Sequence, residues 1–500
     1  MPSSRKDIIY TTLLCLFAGA LTSFAFSPYD VYPLAVLGPA VLLIIWRKAG
    51  PGRAFYSGYL FGLGLFGVGV NWIHISINLF GGVNFIGAMA LTFLFVAFIS
   101  LYPALVGYSS RRFFSRCSSF NYLVLIAPSV WVLGEWLRGW LFTGFPWLNL
   151  GYSQIDSPLG GLAVLTGVYG ISWSLMFTAG AFAALFKTDR FQKGIVLTAA
   201  LFLWGAGWLA EKHDWTRFQG SEISVALVQG SVPQQLKWNA EMQQVSLDLY
   251  KGLSGPYLGS DLIIWPETAI PMFYYPGAAI EKDLLEITHH GHTRLLTGLP
   301  YVDRKTDRYY NSIVMFNDKV SYYHKRHLVP FGEYLPFKSL LGNLLKFLQI
   351  PMSDFSAGTA ARPLLEDDKF AIGVSICYED TFGEEIIESL PDAEILVNVS
   401  NDAWFGDSAA PHQHLQMARM RALESGRYLL RATNNGISAI IDEKGEITGR
   451  SAQFIPAVLA GTARLYEGMT PYARLGNTPV ITLALLLLLI PLVWNKTRNS

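Results

Sequence analysis

FAIGVSICYEDTF, residues 370–382, joins an apolar, β-branched run to a cysteine followed at once by Tyr378, Glu379 and Asp380. The run reads as a buried strand. It delivers Cys377 to a strand end, where the sheet fixes the backbone and the next loop leaves the side chain open to a ligand. A lone cysteine in such a run is ordinarily a small buried hydrophobe, but two other stretches set a chemical reading beside that one. DLIIWPETAIP, residues 261–271, is a second apolar run that ends in a carboxylate, Glu267, a group suited to act as a general base. In YYHKRHLVPFGEYLP, residues 322–336, a short aromatic strand closes on Lys325, and a Pro-Phe-Gly loop then presents Glu333. An ammonium there suits a developing oxyanion. Taken singly, each charge is most simply solvated. Together, a thiol, a carboxylate and an ammonium at three strand ends are the parts of a nucleophilic site.

The surroundings of these motifs are not those of an ordinary soluble enzyme. The 500 residues are 51% hydrophobic and only 15% charged, where soluble chains carry about 25% charged residues, so part of the chain belongs in lipid. The net charge of +1 argues against a nucleic-acid partner and against a strongly acidic one. Cys15, Cys117 and Cys377 are too scattered for a metal cage or a disulfide framework, and no zinc-type Cys/His spacing occurs. No cofactor and no metal are expected.

Hydrophobic spans are expected at 8–26, 32–46, 55–74, 84–108, 120–137, 160–186, 194–210 and 477–494, about eight transmembrane helices in all. Short connectors alternate between basic and nearly charge-free. Arg5 and Lys6, then Arg47, Lys48 and Arg53, then Arg111, Arg112 and Arg116, then Lys187, Arg190 and Lys193, and finally Lys496 and Arg498 fall on one side. SPYDVYP and SINLFGGVN on the other side have no Lys or Arg, and the 135–159 connector has only Arg138. The positive-inside rule then places both termini in the cytoplasm and residues 211–476 outside it. The first span is expected to be a retained anchor rather than a cleaved signal. The tryptophan-rich connector 135–158 suits an interfacial belt, with Arg138 as an interfacial anchor that snorkels toward the headgroups.

Three domains follow: 1–210 with seven spans, 211–476 as a mixed α/β domain with its core at 221–465, and 477–500 with the last span and a tail. Strands are expected at 223–232, 261–265, 294–299, 310–317, 320–325, 370–376, 395–400 and 437–442, with a hairpin into ITGRS and an amphipathic helix after Asn239. The apolar stretch 339–358 is either a lid lying on the bilayer or an ordinary core helix with its loop.

A Glu, a Lys and a Cys, in this order and each ending a strand, resemble the nitrilase superfamily. The wording around them is narrower. WPET at Glu267, HKRHLVPFGEYLP at Lys325, SICYED at Cys377 and VSNDAWFGDSAAPHQH at 399–414 resemble the apolipoprotein N-acyltransferase family of Gram-negative bacteria. VQGSVPQQLKW at 228–238, GRYLLRATNNGIS at 426–438 and GALTSFAFSPYD at 19–30 extend the likeness over nearly the whole chain. The resemblance implies a polytopic helical membrane domain joined to a four-layer αββα sandwich, in the bacterial inner membrane with a periplasmic catalytic domain. It implies a ping-pong acyl transfer through a thioester on Cys377, from a phospholipid to the α-amino group of a diacylglyceryl-modified cysteine on a lipoprotein. Glu267 would be the base and Lys325 the oxyanion partner. On the family pattern Glu333 would orient Lys325 or the amine and Trp238 would lie on the substrate side, while Tyr378 and Glu379, which adjoin Cys377, are expected to fix the loop around it. Asn398, Ser400 and Asp402 would brace the site from behind, while His412 and His414 are expected to be surface or packing residues. The rival classes are a membrane-anchored amidase and a non-catalytic lipid- or protein-binding membrane protein.

Overall fold

The computed structural model describes residues 5–186, 189–291, 293–335 and 354–497. The chain divides into two compact units, one of Met1–His74, Ile86–Asp214 and Arg474–Ser500, the other of Ile75–Phe85 and Trp215–Ala473.

The first unit is helical. Among the described residues four helices are long and apolar enough to cross a membrane: Phe85–Phe113, Ser119–Arg138, Gly160–Ala184 and Arg190–Lys212. A fifth is added if the bent pair Pro51–Gly69 and Ile73–Leu79 is one span. Helices also occupy Arg5–Ser23, Leu34–Trp46 and Thr478–Thr497. Small residues let these helices approach closely: a Cβ on Gly19 would overlap the Phe61 carbonyl oxygen, and one on Gly64 the carbonyl oxygen of Leu16. Helices in lipid associate by such backbone packing, since the hydrophobic effect offers no gain between them.

Arg138 departs from the expected interfacial anchor. It is buried, and its guanidinium donates to the carbonyls of Phe145 and Trp147 at 2.7 and 2.5 Å and to Asn149 Oδ1 at 2.7 Å. Glu135, one helical turn earlier, accepts at Oε1 from Trp131 Nε1 and from the Leu150 amide, both at 2.9 Å. The two side chains satisfy a non-helical segment that would otherwise bury open backbone groups. A snorkelling arginine has water as an alternative partner; this one has three protein acceptors.

The second unit contains two six-stranded sheets. The strands are β1 (Arg217–Gln229), β2 (Leu262–Trp265), β3 (Arg294–Asp303), β4 (Arg308–Phe316), β5 (Ser321–His324), β6 (Leu364–Glu366), β7 (Ala371–Ile376), β8 (Ile395–Ser400), β9 (Leu429–Thr433), β10 (Ala439–Ile441), β11 (Ile447–Arg450) and β12 (Ala457–Glu467). One sheet runs β12-β1-β2-β3-β4-β5 and the other β11-β10-β9-β8-β7-β6. Parallel trios, β1-β2-β3 and β7-β8-β9, form the centres. Leu227, Ile264 and Leu296 of the first sheet pack against Ile372, Val374, Val397 and Leu430 of the second. Alternate residues such as Ile263, Trp265 and Leu295 face the other way, onto Leu247, Tyr250 and Leu284 of the helices Ala240–Ser254 and Ala279–Gly291. Leu396, Leu429 and Ile441 likewise meet Leu415, Ala418 and Ala422 of Ala409–Ser425. Period-two alternation in strands buried on both faces therefore builds four layers: helix, sheet, sheet, helix.

Strands β6, β9 and β12 lie outside the expected set. In β12, AVLAGTARLYE, small residues and a half-exposed edge position dilute the strand signal, and its ladder is supplied by β1, more than two hundred residues earlier. The apolar stretch 339–358 falls outside the described residues apart from 354–358.

Replacing Arg138 with Met leaves three buried acceptors and Glu135 uncompensated, and is expected to cost roughly 3–5 kcal/mol of stability. Thermal unfolding in detergent checks this against exposed Arg112, whose replacement by Gln is expected to change stability by less than about 0.5 kcal/mol.

Candidate active site

Pro266 cannot donate to a ladder, so β2 stops there, and Glu267 and Thr268 turn across β3. Thr268 takes a φ of +48°, and the turn is secured by Ala269 N–H to the Gly298 carbonyl at 3.0 Å and Gly298 N–H to the Pro266 carbonyl at 3.2 Å. Gly298 is required by this approach, since a Cβ there would stand 2.5 Å from the Glu267 Cα and 2.7 Å from the Pro266 oxygen. The Glu267 carboxylate is buried, and its Oε1 accepts from Asn311 Nδ2 at 2.7 Å. A second buried cation, Lys237, donates from Nζ to the Glu267 backbone carbonyl at 3.2 Å.

Lys325 follows β5, with its N–H on the Asn311 carbonyl at 2.8 Å and its own carbonyl accepting from Gly358 N–H at 2.7 Å. Its Nζ is buried 2.9 Å from Glu333 Oε2 and 3.9 Å from Glu267 Oε1. Glu333 is aimed by the Val329 amide, which donates to Oε2 at 2.8 Å, and by Asn311, whose Nδ2 also donates to Oε1 at 2.7 Å. One amide nitrogen of Asn311 therefore holds both carboxylates beside one ammonium.

Cys377 leaves β7 with a φ of +51°, a conformation that costs energy for any residue with a Cβ. Glu379 holds the turn. Its Oε2 accepts from Ile376 N–H at 2.8 Å, and its Oε1 accepts from the amides of Arg326 and His327 at 2.7 and 3.1 Å and from the Tyr323 hydroxyl at 2.9 Å. Tyr378 is half-buried, 5.7 Å from the His327 ring and 5.1 Å from Phe382. Behind the turn, Asn398 Nδ2 donates to Ser375 Oγ at 3.0 Å and to the Cys377 carbonyl at 3.3 Å.

Of the surface or packing roles expected for His414, the surface role is excluded by its burial. It is buried in an ion network, with Nε2 2.7 Å from Asp380 Oδ1 and Nδ1 3.1 Å from Asp402 Oδ1. Asn311, Lys237 and Arg431 also belong to the surroundings of the turn and were not among the expected site residues. Asn311 lies inside a strand with no distinguishing motif. Lys237 is adjacent to Trp238, which is itself half-buried.

The electrostatics are set by burial. It pushes the Cys377 thiol well above its ordinary value, Glu267 adds to that, and Lys325 pulls the other way. Burial also raises Glu267, against the opposing pull of Lys325. For Lys325 burial disfavours the charge, but Glu333 and Glu267 outweigh it and hold the ammonium above the ordinary lysine range. Lys237, with less compensation, is brought down by burial to about 8. At neutral pH this leaves a protonated thiol and a firmly charged Lys325 beside a carboxylate with more than the usual proton affinity. Such a set can move a proton off sulfur and stabilise an adjacent negative oxygen. Among the described residues no group of three or more His, Cys, Asp or Glu is arranged to hold a metal.

Both parts of the chain match known families. Residues 18–181 match the model of the apolipoprotein N-acyltransferase N-terminal domain, and residues 224–465 that of carbon-nitrogen hydrolase. The apolipoprotein N-acyltransferase of Methylococcus capsulatus is 45% identical over 473 residues, covering 94% of each chain. That of Nitrosomonas europaea is 42% identical, covering 96% of this chain and 97% of its own. The Vibrio cholerae protein of the same name is 39% identical over 96% of both. Among solved structures, Saccharomyces cerevisiae Nit3, a member of branch 10 of the nitrilase superfamily, aligns at 19% identity with a TM-score of 0.38, over 49% of this chain and 90% of its own. Identity at the level of the three bacterial proteins, running through the helical part and the sandwich alike, makes this chain an acyltransferase of the apolipoprotein N-acyltransferase family.

Proposed function

We propose that the chain transfers an acyl chain from a phospholipid to the α-amino group of a diacylglyceryl-modified N-terminal cysteine on a lipoprotein, with Cys377 as nucleophile, Glu267 as general base and Lys325 as oxyanion partner. The observation that carries this reading is the convergence of groups from three separated segments: Lys325 Nζ lies 2.9 Å from Glu333 and 3.9 Å from Glu267, and Glu379 clasps the residue before Cys377 to the residue after Lys325, accepting from Ile376 N–H at 2.8 Å and from Arg326 N–H at 2.7 Å.

In the first half-reaction Glu267 takes the thiol proton and sulfur attacks the ester carbonyl. A C–S bond forms, and the carbonyl oxygen becomes an oxyanion held by Lys325 and a backbone N–H near Cys377. Collapse breaks the C–O bond. Glu267 returns its proton to the departing alkoxide, so a lysophospholipid leaves and a thioester remains. In the second half-reaction the lipoprotein amine attacks the thioester and Glu267 takes a proton from nitrogen; a C–N bond forms, the C–S bond breaks, and the thiolate recovers its proton. Glu333 holds Lys325 in place, Glu379 and Tyr378 fix the nucleophile's loop, and Trp238 belongs to the substrate side. Excluding water from the thioester favours the amine over hydrolysis.

The apolar helices tether this chemistry to a bilayer, where both substrates reside. Eight spans with the basic connectors on the cytoplasmic side put both termini in the cytoplasm of a bacterial inner membrane and residues 211–476, the catalytic domain, in the periplasm.

Purified protein incubated with phosphatidylethanolamine alone is expected to gain one acyl group on Cys377 by peptide mass spectrometry, and to lose it to a diacylated lipopeptide added afterwards. Cys377→Ala gains none. Absence of the adduct in the wild-type protein, or release of free fatty acid with no acylated lipopeptide, sinks the transferase reading.

The charges predict a pH profile. Because Glu267 is raised above the ordinary 4.5, the acid limb of acyl-enzyme formation is expected above pH 4.5, where the carboxylate becomes ionised. Lys237→Met removes a positive charge that favours that ionised form, so the limb is expected to move to still higher pH. Above about pH 8, where Lys237 itself loses its proton, the variant and the wild type are expected to converge. A limb that stays in place or moves down in the variant contradicts this assignment of Lys237.

A further inference from the structure

The residues behind Cys377 form a closed set. Arg431 Nη1 donates to Asp380 Oδ2 at 2.9 Å and to Asn398 Oδ1 at 2.7 Å, while Nη2 reaches Asp402 Oδ2 at 3.1 Å and His414 Nδ1 at 2.8 Å. His414 Nε2 faces two acceptors, Asp380 Oδ1 at 2.7 Å and the Cys377 carbonyl oxygen at 3.3 Å, so this nitrogen carries a proton in either charge state of the ring. Asn398 Nδ2 is the second donor to the same carbonyl. Every one of these side chains is buried. Ser400 Oγ at the end of β8 donates to Asp402 Oδ1 at 3.2 Å and ties that strand to the same set.

Burying two carboxylates, a guanidinium and an imidazole is expensive unless the geometry is used for something. Packing alone does not require an ionic cluster on a backbone carbonyl. The consequence lies in the peptide that follows. The unit joining Cys377 to Tyr378 is planar and trans, so its N–H is antiparallel to its C=O. Two donors that draw the Cys377 carbonyl inward therefore turn the Tyr378 N–H outward, away from the cluster. Cys377 keeps its φ of +51° between Ile376, held by Glu379, and this pinned carbonyl, and the surrounding bonds offset the cost of that conformation.

We infer that His414 is a positioning residue for the acyl transfer, which, with Asn398, pins the Cys377 carbonyl and thereby fixes the Tyr378 N–H as the second donor to the oxyanion. The inference rests on the reading of Cys377 as the acylated nucleophile. Asp380, Asp402 and Arg431 hold the ring at its angle, and none of them meets the substrate.

Two reactions of the same thiol separate this role from simple support of the fold. Acylation by a phospholipid ester passes through an oxyanion. Alkylation by iodoacetamide forms the C–S bond as iodide leaves a saturated carbon, and develops none. Two variants divide the ring's functions: the amide of His414→Asn reaches only the place of Nδ1, whereas that of His414→Gln reaches the place of Nε2 and can donate to the Cys377 carbonyl. For His414→Asn, acyl-enzyme formation is expected to fall about 100-fold, the scale of losing one oxyanion donor, with alkylation within about threefold of wild type. For His414→Gln, acylation is expected to recover to within about tenfold of wild type. Parallel loss of acylation and alkylation in His414→Asn, or equal acylation by the two variants, overturns the positioning role. Wild-type protein that forms no adduct overturns the acyl-enzyme reading beneath it, which distinguishes the two failures.

Discussion

One carboxylate joins the two halves of the sandwich where the chemistry is proposed to occur. Glu379 accepts from Ile376 N–H at the end of a strand of one sheet, and from Arg326 N–H, His327 N–H and Tyr323 OH beside the terminal strand of the other. These four donors leave little freedom for the segment carrying Cys377 to slide against the segment carrying Lys325. A carboxylate with several strong donors is also a good solution to its own burial, because hydrogen bonds replace the water it gives up. Burial nevertheless pushes Glu379 upward in proton affinity, and the bridge depends on its remaining an acceptor.

The same need for mutual compensation shapes the rest of the site. Glu267, Glu333 and Glu379 are three buried acids, and Lys325 and Lys237 are the two buried ammonium groups near them. Neither sign is tolerable alone in a closed interior, where removing one partner leaves an uncompensated charge. Asn311 relieves part of the crowding as a neutral donor shared by Glu267 and Glu333. It supports both carboxylates without adding a charge that would compete with Lys325. Behind Cys377 the network of His414, Asp380, Asp402 and Arg431 solves the same problem with opposite charges in contact. Burial opposes the charge on Asp402, yet Arg431 and His414 hold its proton affinity well below the carboxylate range. That network is a fixed electrostatic base rather than a group in exchange with solvent.

Much of the sandwich was legible along the chain because strands buried on both faces are nearly continuous apolar runs. LIIW and AIGVSI stand out for that reason, and the charged residues that end such runs are conspicuous by contrast. Glu267, Lys325 and Cys377 could be picked out in this way, and Glu333 and Glu379 by their closeness to them. Asn311, Lys237 and Arg431 could not. Asn311 sits in the middle of RYYNSIVMF, where a polar residue is as readily an outward-facing one, and Arg431 in LLRAT resembles an ordinary edge charge. The histidines of APHQHL occupy a helix whose composition gives no sign that one face meets two carboxylates and a guanidinium.

Local pattern determined what kind of parts the chain contains: apolar helices of spanning length, basic connectors, strands with reactive ends, and a close sequence likeness to one family of acyltransferases. These follow from short-range physics, namely hydropathy over about twenty residues and alternation within a strand. Only the tertiary structure decided which distant residues share a hydrogen bond. Pairing of β1 with β12 and the contacts of Lys237 with Glu267 and of His414 with Cys377 are set by sheet register and by the neutralisation of buried charge, and neither is encoded in any single window of sequence.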